Sequence, residues 1–357
     1  MNSSYAHFLW ILFSLFSCLN KSTPSNPCKP LIDTLNFSAL PSSITNLVSA
    51  AVYEDKLILN CWDYQLSLNT VKIKYFIYNR ADKTSYYIND LLPKKYQNDY
   101  LPINGIDMEH NKIYILILPN YLLTYDLNLN LMQETSLAIP QDFHIIFNGL
   151  FQVRDGFVYL SLINSNVSFH STDIFCSKED VLLSCFNLNG HLENYISPFL
   201  ISNCGKGGFK DLIDISMSYF ADQITIINSL DSSRIITNHK LEILKYTHLA
   251  SNDFKYWNTG ILYRNPQGLT ELPNQVISIN VTKSGIEGLF KTALTKDSSF
   301  VYFNCQNGDQ CTSFRKLPID FGWHYIARKD AKDNMLFFKN MNTYLLLHQF
   351  CLEREIK

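Results

Sequence analysis

Between His110 and Pro140 the chain alternates short apolar runs with polar turns. Lys112 to Leu118 is an Ile-rich run of strand length, and Pro119-Asn120 is a turn signal. Tyr121 to Leu127 is apolar again, and Asn128 to Asn130 turn the chain before a third run that ends at Pro140. This pattern predicts a meander of three short strands. A lone meander cannot bury its own faces, so its recurrence along a chain predicts copies packed against one another.

The pattern does recur. Ile77-Tyr78-Asn79-Arg80, Thr124-Tyr125-Asp126-Leu127 and Cys185-Phe186-Asn187-Leu188 each place an aromatic residue before Asp or Asn at a strand end, followed by a polar turn. From Tyr78 to Tyr125 to Phe186 the spacings are 47 and 61 residues, in the range of four-stranded propeller blades with loop insertions. A second series, read as inner strands, comprises runs beginning at Lys56, Lys112, Phe157, Gln223, Phe300 and Met335, with a weaker copy at Gly260 to Tyr263. Helical signals are poor, and Tyr219 to Ile227 and Thr343 to Cys351 are too short or too rich in aromatic and β-branched residues for helices. The expected fold is all-β: a single propeller of six or seven four-stranded blades over residues 31–357, with Leu31 to Leu40 able to supply a strand to the final blade.

The N-terminus changes the picture of where the protein acts. Phe8 to Phe16 is an apolar segment of signal-peptide length, well short of the roughly 20 residues that span a bilayer. Met1 to His7 has no Lys or Arg, a departure from the usual signal. Leu15-Phe16-Ser17-Cys18 follows, with Leu three residues before a cysteine and a small residue just before it. This resembles a bacterial lipoprotein signal, which implies that residues 1–18 end in a lipidated Cys18 and that residues 19–30 form a polar tether to a membrane surface. An ordinary secretory signal is the alternative.

Composition suits an exported globular body. Hydrophobic residues make up 46% and charged residues 17%, and a net charge of -2 gives no electrostatic case for nucleic acid. Of nine cysteines, Cys176 with Cys185 and Cys305 with Cys311 are close enough in sequence to bridge a loop or hairpin, and Gln-Asn-Gly-Asp-Gln between the latter two reads as a tight turn. Cys28 with Cys351 would tie the chain ends together. Small buried thiols are the alternative for all of them.

Asn-Gly turns precede two of the strands, at Asn104-Gly105 and Asn148-Gly149, and a Gly-rich loop, Cys204-Gly205-Lys206-Gly207-Gly208-Phe209, precedes a third. The series of Gly-rich loop, aromatic strand and Tyr-Asp or Phe-Asn strand end resembles the six-bladed β-propeller lipoproteins of Bacteroidetes, whose loop has the form Gly-x-Gly-Pro-Gly-Glu-Phe; here its Pro and Glu are absent. The resemblance covers about residues 51–352 and implies an outer-membrane, lipid-anchored propeller.

Chemistry is sparse. There is no nucleophile elbow, zinc-protease helix or P-loop. Lys206, Gly207 and Gly208 could form an anion-binding nest, but a blade-connecting turn is the preferred explanation for them. Asp126 to Asn130 begins like a calcium loop and then fails, since Leu131 stands at the required Gly. Ile103-Asn104-Gly105-Ile106 also resembles a segment of the calcium-dependent propeller lactonases related to gluconolactonase, which would make Asn104 a metal ligand, with Asn148 repeating the turn. The Gly-Glu-Gly-Pro and Asp-Gly motifs of that family are missing. The expectation is therefore a non-catalytic scaffold for an unidentified protein or small molecule, with no cofactor and no metal; a lactonase or related hydrolase is the alternative. Asn166-Val-Ser and Asn280-Val-Thr would be glycosylation acceptors if the protein were a eukaryotic secreted propeller.

Overall fold

The computed structural model describes residues 31–36, 44–53, 56–65, 70–79, 81–97, 103–146, 149–166, 181–197, 215–228, 233–249, 264–265, 268–269, 275–283, 285–291, 300–306, 311–317, 324–328, 334–341 and 344–351. Nearly all of them lie in antiparallel strands. The chain opens with β1 (Leu31–Asn36), β2 (Ile44–Tyr53), β3 (Lys56–Gln65), β4 (Thr70–Asn79) and β5 (Thr84–Tyr87), then a one-turn helix α1 (Ile88–Leu91) and a 3-10 turn at Lys94–Tyr96. A second group is β6 (Ile103–Glu109), β7 (Lys112–Ile117), β8 (Tyr121–Asp126) and β9 (Leu131–Ser136). The third is β10 (Phe143–Ile145), β11 (Phe151–Arg154), β12 (Phe157–Asn164), β13 (Val181–Asn187) and β14 (Leu192–Ile196). The fourth is β15 (Ile215–Phe220), β16 (Gln223–Asn228), β17 (Ser233–Thr237) and β18 (Ile243–His248). After a two-stranded ribbon, β19 (Arg264–Asn265) and β20 (Gly268–Leu269), come β21 (Gln275–Thr282), β22 (Gly285–Lys291), β23 (Phe300–Gln306) and β24 (Cys311–Lys316). The last strands are β25 (His324–Arg328), β26 (Asn334–Met341) and β27 (Tyr344–Cys351).

These strands form a β-propeller. Among the described residues it has five sheets of four or more strands, so the expected six or seven separate blades are not seen as such. The largest has the order β1-β27-β26-β25-β2-β3-β4-β5, in which β2 and β25 pair in parallel only at Ala51 with Ala327 and Val52 with Arg328. The N-terminal strand closes the ring: β1 lies antiparallel to β27, from Leu31 opposite Gln349 to Asn36 opposite Tyr344.

The strand series read as inner does fall on interior strands, each paired on both edges: β7, β12 and β16 are second in their sheets, β23 is third, and β3 and β26 lie inside the eight-stranded sheet. The reason is burial. Second and third strands are covered on both faces by neighbouring sheets and so read as unbroken apolar runs. Along β7, Ile113, Ile115 and Ile117 pack towards the preceding sheet with Ile58 and Ile77, while Tyr114 and Leu116 pack towards the following one with Val158 and Leu160. The core is thus a series of layers between sheets rather than one central mass. Further layers join Tyr159, Leu183 and Cys185 to Ile224 and Ile235, and Ile227 to Val276 and Phe303.

Two kinds of hairpin mark one end of the ring. First-to-second strand turns at His110-Asn111, Asp155-Gly156 and Ala221-Asp222 are two-residue loops with positive φ at both positions, the type I′ geometry that matches strand twist. Third-to-fourth strand turns are built on a side-chain acceptor. Asp126 Oδ1 accepts from the Asn130 amide at 2.8 Å, Asn187 Oδ1 from those of Asn189 and His191, and Asn238 Oδ1 from those of Lys240 and Glu242. Leu129, Gly190 and Leu241 hold the matching positive φ. The incomplete calcium loop at Asp126 is therefore a turn cap.

Cys305 and Cys311 are joined by a disulfide across the β23–β24 hairpin. Cys185, which the sequence pairs with Cys176, is instead a free, buried thiol in the layer beside Tyr159 and hydrogen-bonds the His239 carbonyl. Cys18, Cys28 and Cys176 lie outside the described residues, as does the side chain of Cys351.

Candidate functional site

The polar residues that converge lie at the hairpin end, where the innermost strands of three successive sheets meet the mouth of the ring. Asp107 and Glu109 project from β6, with His110 in the adjoining turn. Arg154 and Asp155 come from the end of β11 and its turn, and Tyr219 from β15. Because each hairpin repeats at the same height around the ring, residues far apart in sequence become neighbours.

Asp107 is 3% exposed. Its Oδ2 accepts the Val153 amide at 2.7 Å and faces the Arg154 guanidinium at 3.5 Å, while Oδ1 accepts the Met108 amide at 3.0 Å. Glu109 accepts the Asp155 amide at 3.1 Å, with Arg154 at 4.0 Å and His110 Nδ1 at 3.8 Å. Burial is the main influence on Glu109 and raises its pKa, against the lowering effects of the Asp155 amide, Arg154 and His110. Burial likewise lowers that of Arg154.

Beyond Asp155 the network turns aromatic. The Tyr219 hydroxyl contacts both the Asp155 carboxylate and His239 Nδ1, and its pKa is raised first by burial and then by Asp155. His239 stacks on Phe157 at 6.2 Å and Tyr219 at 5.8 Å, and its carbonyl accepts from Tyr159 at 2.8 Å.

Glu109, His110 and Asp155 offer ligand atoms within 4.8 Å of one another, a spacing that could hold a metal ion. Arg154 already supplies positive charge to Glu109 there. Sequence reasoning missed this grouping because the histidines show no metal-ligand spacing along the chain, and only the repeat of the hairpins hints at it.

The site residues expected from sequence do not gather here. Asn104 is 3% exposed, sits at the β6 bulge, and donates to the Ile146 carbonyl of the next sheet at 3.2 Å. Asn148, Lys206, Gly207 and Gly208 lie outside the described residues.

The architecture defines the molecule as a β-propeller. No protein-family model matches the sequence, and no curated protein matches it either. Among solved structures, the chain is similar to a member of the DUF4221 family from Bacteroides vulgatus, with a TM-score of 0.54 and 11% identity over 90% of this chain and 96% of that one. It also matches a Bacteroides fragilis protein named provisionally as exported, at a TM-score of 0.47 and 12% identity over 90% of this chain and 95% of that one. The β-propeller domain of the trilobed protease from Pyrococcus furiosus follows, at a TM-score of 0.43 and 8% identity over 86% of this chain and 93% of that one. At such identities the first of these shows the fold alone.

Proposed function

We propose that this protein is an exported β-propeller lipoprotein, held at the outer membrane through Cys18, whose ring is a non-catalytic scaffold for a protein or small-molecule ligand. In this reading the eight-stranded sheet is two blades, β2–β5 and β25–β27 with β1, that touch through the short β2–β25 pairing, which makes six blades in all.

The observation that carries the scaffold reading is the use made of the polar groups on the innermost strands. Asp107 accepts the Val153 amide of the next sheet, and Ser218, at the same height on β15, accepts the Val281 amide of its own next sheet at 3.1 Å. Asn104 donates to the Ile146 carbonyl, and Ser216 donates to the Val276 carbonyl at 2.9 Å. The buried carboxylate and amide therefore belong to a repeated inter-sheet clamp. A hydrolase needs such groups free to meet substrate. Among the described residues no helix is long and apolar enough to cross a membrane, which is compatible with a lipid anchor.

The test is turnover by the purified full chain on a panel of lactones, esters and peptides, with and without calcium. The expected result is no hydrolysis above buffer. Calcium-dependent turnover that Glu109→Gln abolishes would overturn the scaffold reading.

A further inference from the structure

We infer that the hairpin end of the ring is the membrane-facing end and docks on the lipid surface through a set of exposed apolar side chains. The inference rests on the lipoprotein reading and adds an orientation and a contact surface to it.

The topology fixes where the tether leaves. β27 starts at Tyr344, opposite Met341 of β26, and runs away from that second-to-third strand turn. It therefore ends, at Cys351, at the hairpin end. β1 is antiparallel to it and begins at Leu31 opposite Gln349, so Leu31 also lies at the hairpin end. Residues 19–30 are twelve in number and reach about 40 Å at full extension. A lipid on Cys18 would hold this end within that distance of the headgroups.

The same end carries large apolar residues in water. Leu131 and Met132 open β9, and Ile243 and Leu244 occupy the corresponding place in β18, each pair at the register shift that follows its turn. Phe220 stands beside the Ala221-Asp222 turn. These five are between 40% and 57% exposed. The other large apolar residues in water, Tyr86, Tyr195 and Tyr246, carry a hydroxyl and stand further along their strands, so the wholly apolar side chains gather at the turns of this end. The charges around it are mixed: Lys83, Lys240 and Lys283 are offset by Asp126, Asp222 and Glu242. Among the described residues of this end there is no basic patch to draw it to anionic headgroups, so their contribution to attraction is apolar insertion, which is insensitive to salt.

The test uses the full lipid-bearing chain in vesicles of phosphatidylethanolamine and phosphatidylglycerol with brominated acyl chains. A fluorescent amino acid replaces Met132, Leu244 or, at the opposite end, the exposed Gln141. The expected result is at least about twofold quenching at the first two sites, unchanged by high salt, and none at Gln141. Leu131→Ser with Leu244→Ser should reduce quenching at position 132 to the level of position 141. Equal or stronger quenching at position 141, or none anywhere, overturns the proposal. So does a label at position 132 that is shielded in native membranes yet untouched by brominated lipid, which would put a protein there. Intact mass on the same sample separates the failures: acylated Cys18 without quenching sinks the docking alone, whereas unacylated, unbound protein sinks the lipoprotein reading with it.

Discussion

Replacing Asp107 with alanine tests the clamp at its most buried point. The change leaves the Val153 and Met108 amides without the acceptor at 2.7 and 3.0 Å, and leaves the largely buried Arg154 without the charge at 3.5 Å. Breaking a buried charge pair from one side costs about 3–5 kcal/mol, because the remaining charge stays desolvated. At roughly 2 °C per kcal/mol for a domain of this size, the melting temperature should fall by about 6–10 °C. Asp107→Asn keeps one acceptor oxygen and should lose about half as much. Arg154→Ala together with Asp107→Ala should lose less than the two single changes added, since both members of the 3.5 Å pair are then gone. Thermal unfolding followed by circular dichroism reads all four proteins. An Asp107→Ala protein that melts within 2 °C of the parent would refute the clamp, and with it the main argument against a catalytic Asp107.

Other consequences are open to measurement. Glu109 has a raised pKa in the fold, so between its unfolded value and that raised value the folded state binds more protons and stability falls as pH rises. Glu109→Gln should therefore gain stability relative to the parent at pH 7 compared with pH 4, and a gain confined to pH 4 would contradict the assignment. A Cβ on Gly190 would stand 2.1 Å from the Ser136 carbonyl oxygen at a φ of +86°, whereas one on Gly156, at +82°, meets nothing within 4 Å. Gly156→Ala should cost about 1 kcal/mol for the backbone alone, and Gly190→Ala about 3 kcal/mol with the clash added. Similar losses by denaturant titration would remove the clash from the account. Burial pushes the Cys61 and Cys185 thiols up to about 12, so neither should be alkylated near neutral pH until the protein unfolds. Rapid modification of either in the native protein, read by peptide mass, would show that its layer is open.

Much of the frame was legible in the hydrophobic pattern. The runs at Lys112, Tyr121 and after Asn130 are β7, β8 and β9, and Tyr78-Asn79, Tyr125-Asp126 and Phe186-Asn187 do end equivalent strands, because an aromatic, half-buried at Tyr78 and buried at the other two, beside a turn-capping side chain is readable locally. A fourth copy, Thr237-Asn238, was missed because threonine replaces the aromatic. β22 was missed because its glycines obscure a strand. Gly288 is needed there, since a Cβ would lie 2.5 Å from the Phe303 ring. The convergence of Glu109, His110, Asp155, Tyr219 and His239 was not legible at all, because it depends on three sheets standing side by side in the ring. Asn104-Gly105 reads locally as a turn but is part of strand β6, because a bulge absorbs the pair and aims the Asn104 amide at the next sheet, a property of the packed ring.

Anchoring at Cys18 is tested most directly by the intact mass of the protein taken from its native membrane fraction. The predicted result is a polypeptide beginning at Cys18 and heavier than its sequence by the mass of attached acyl groups. A chain that begins beyond Cys18 and carries no lipid would contradict it, leaving a freely secreted propeller whose hairpin end has no membrane to face.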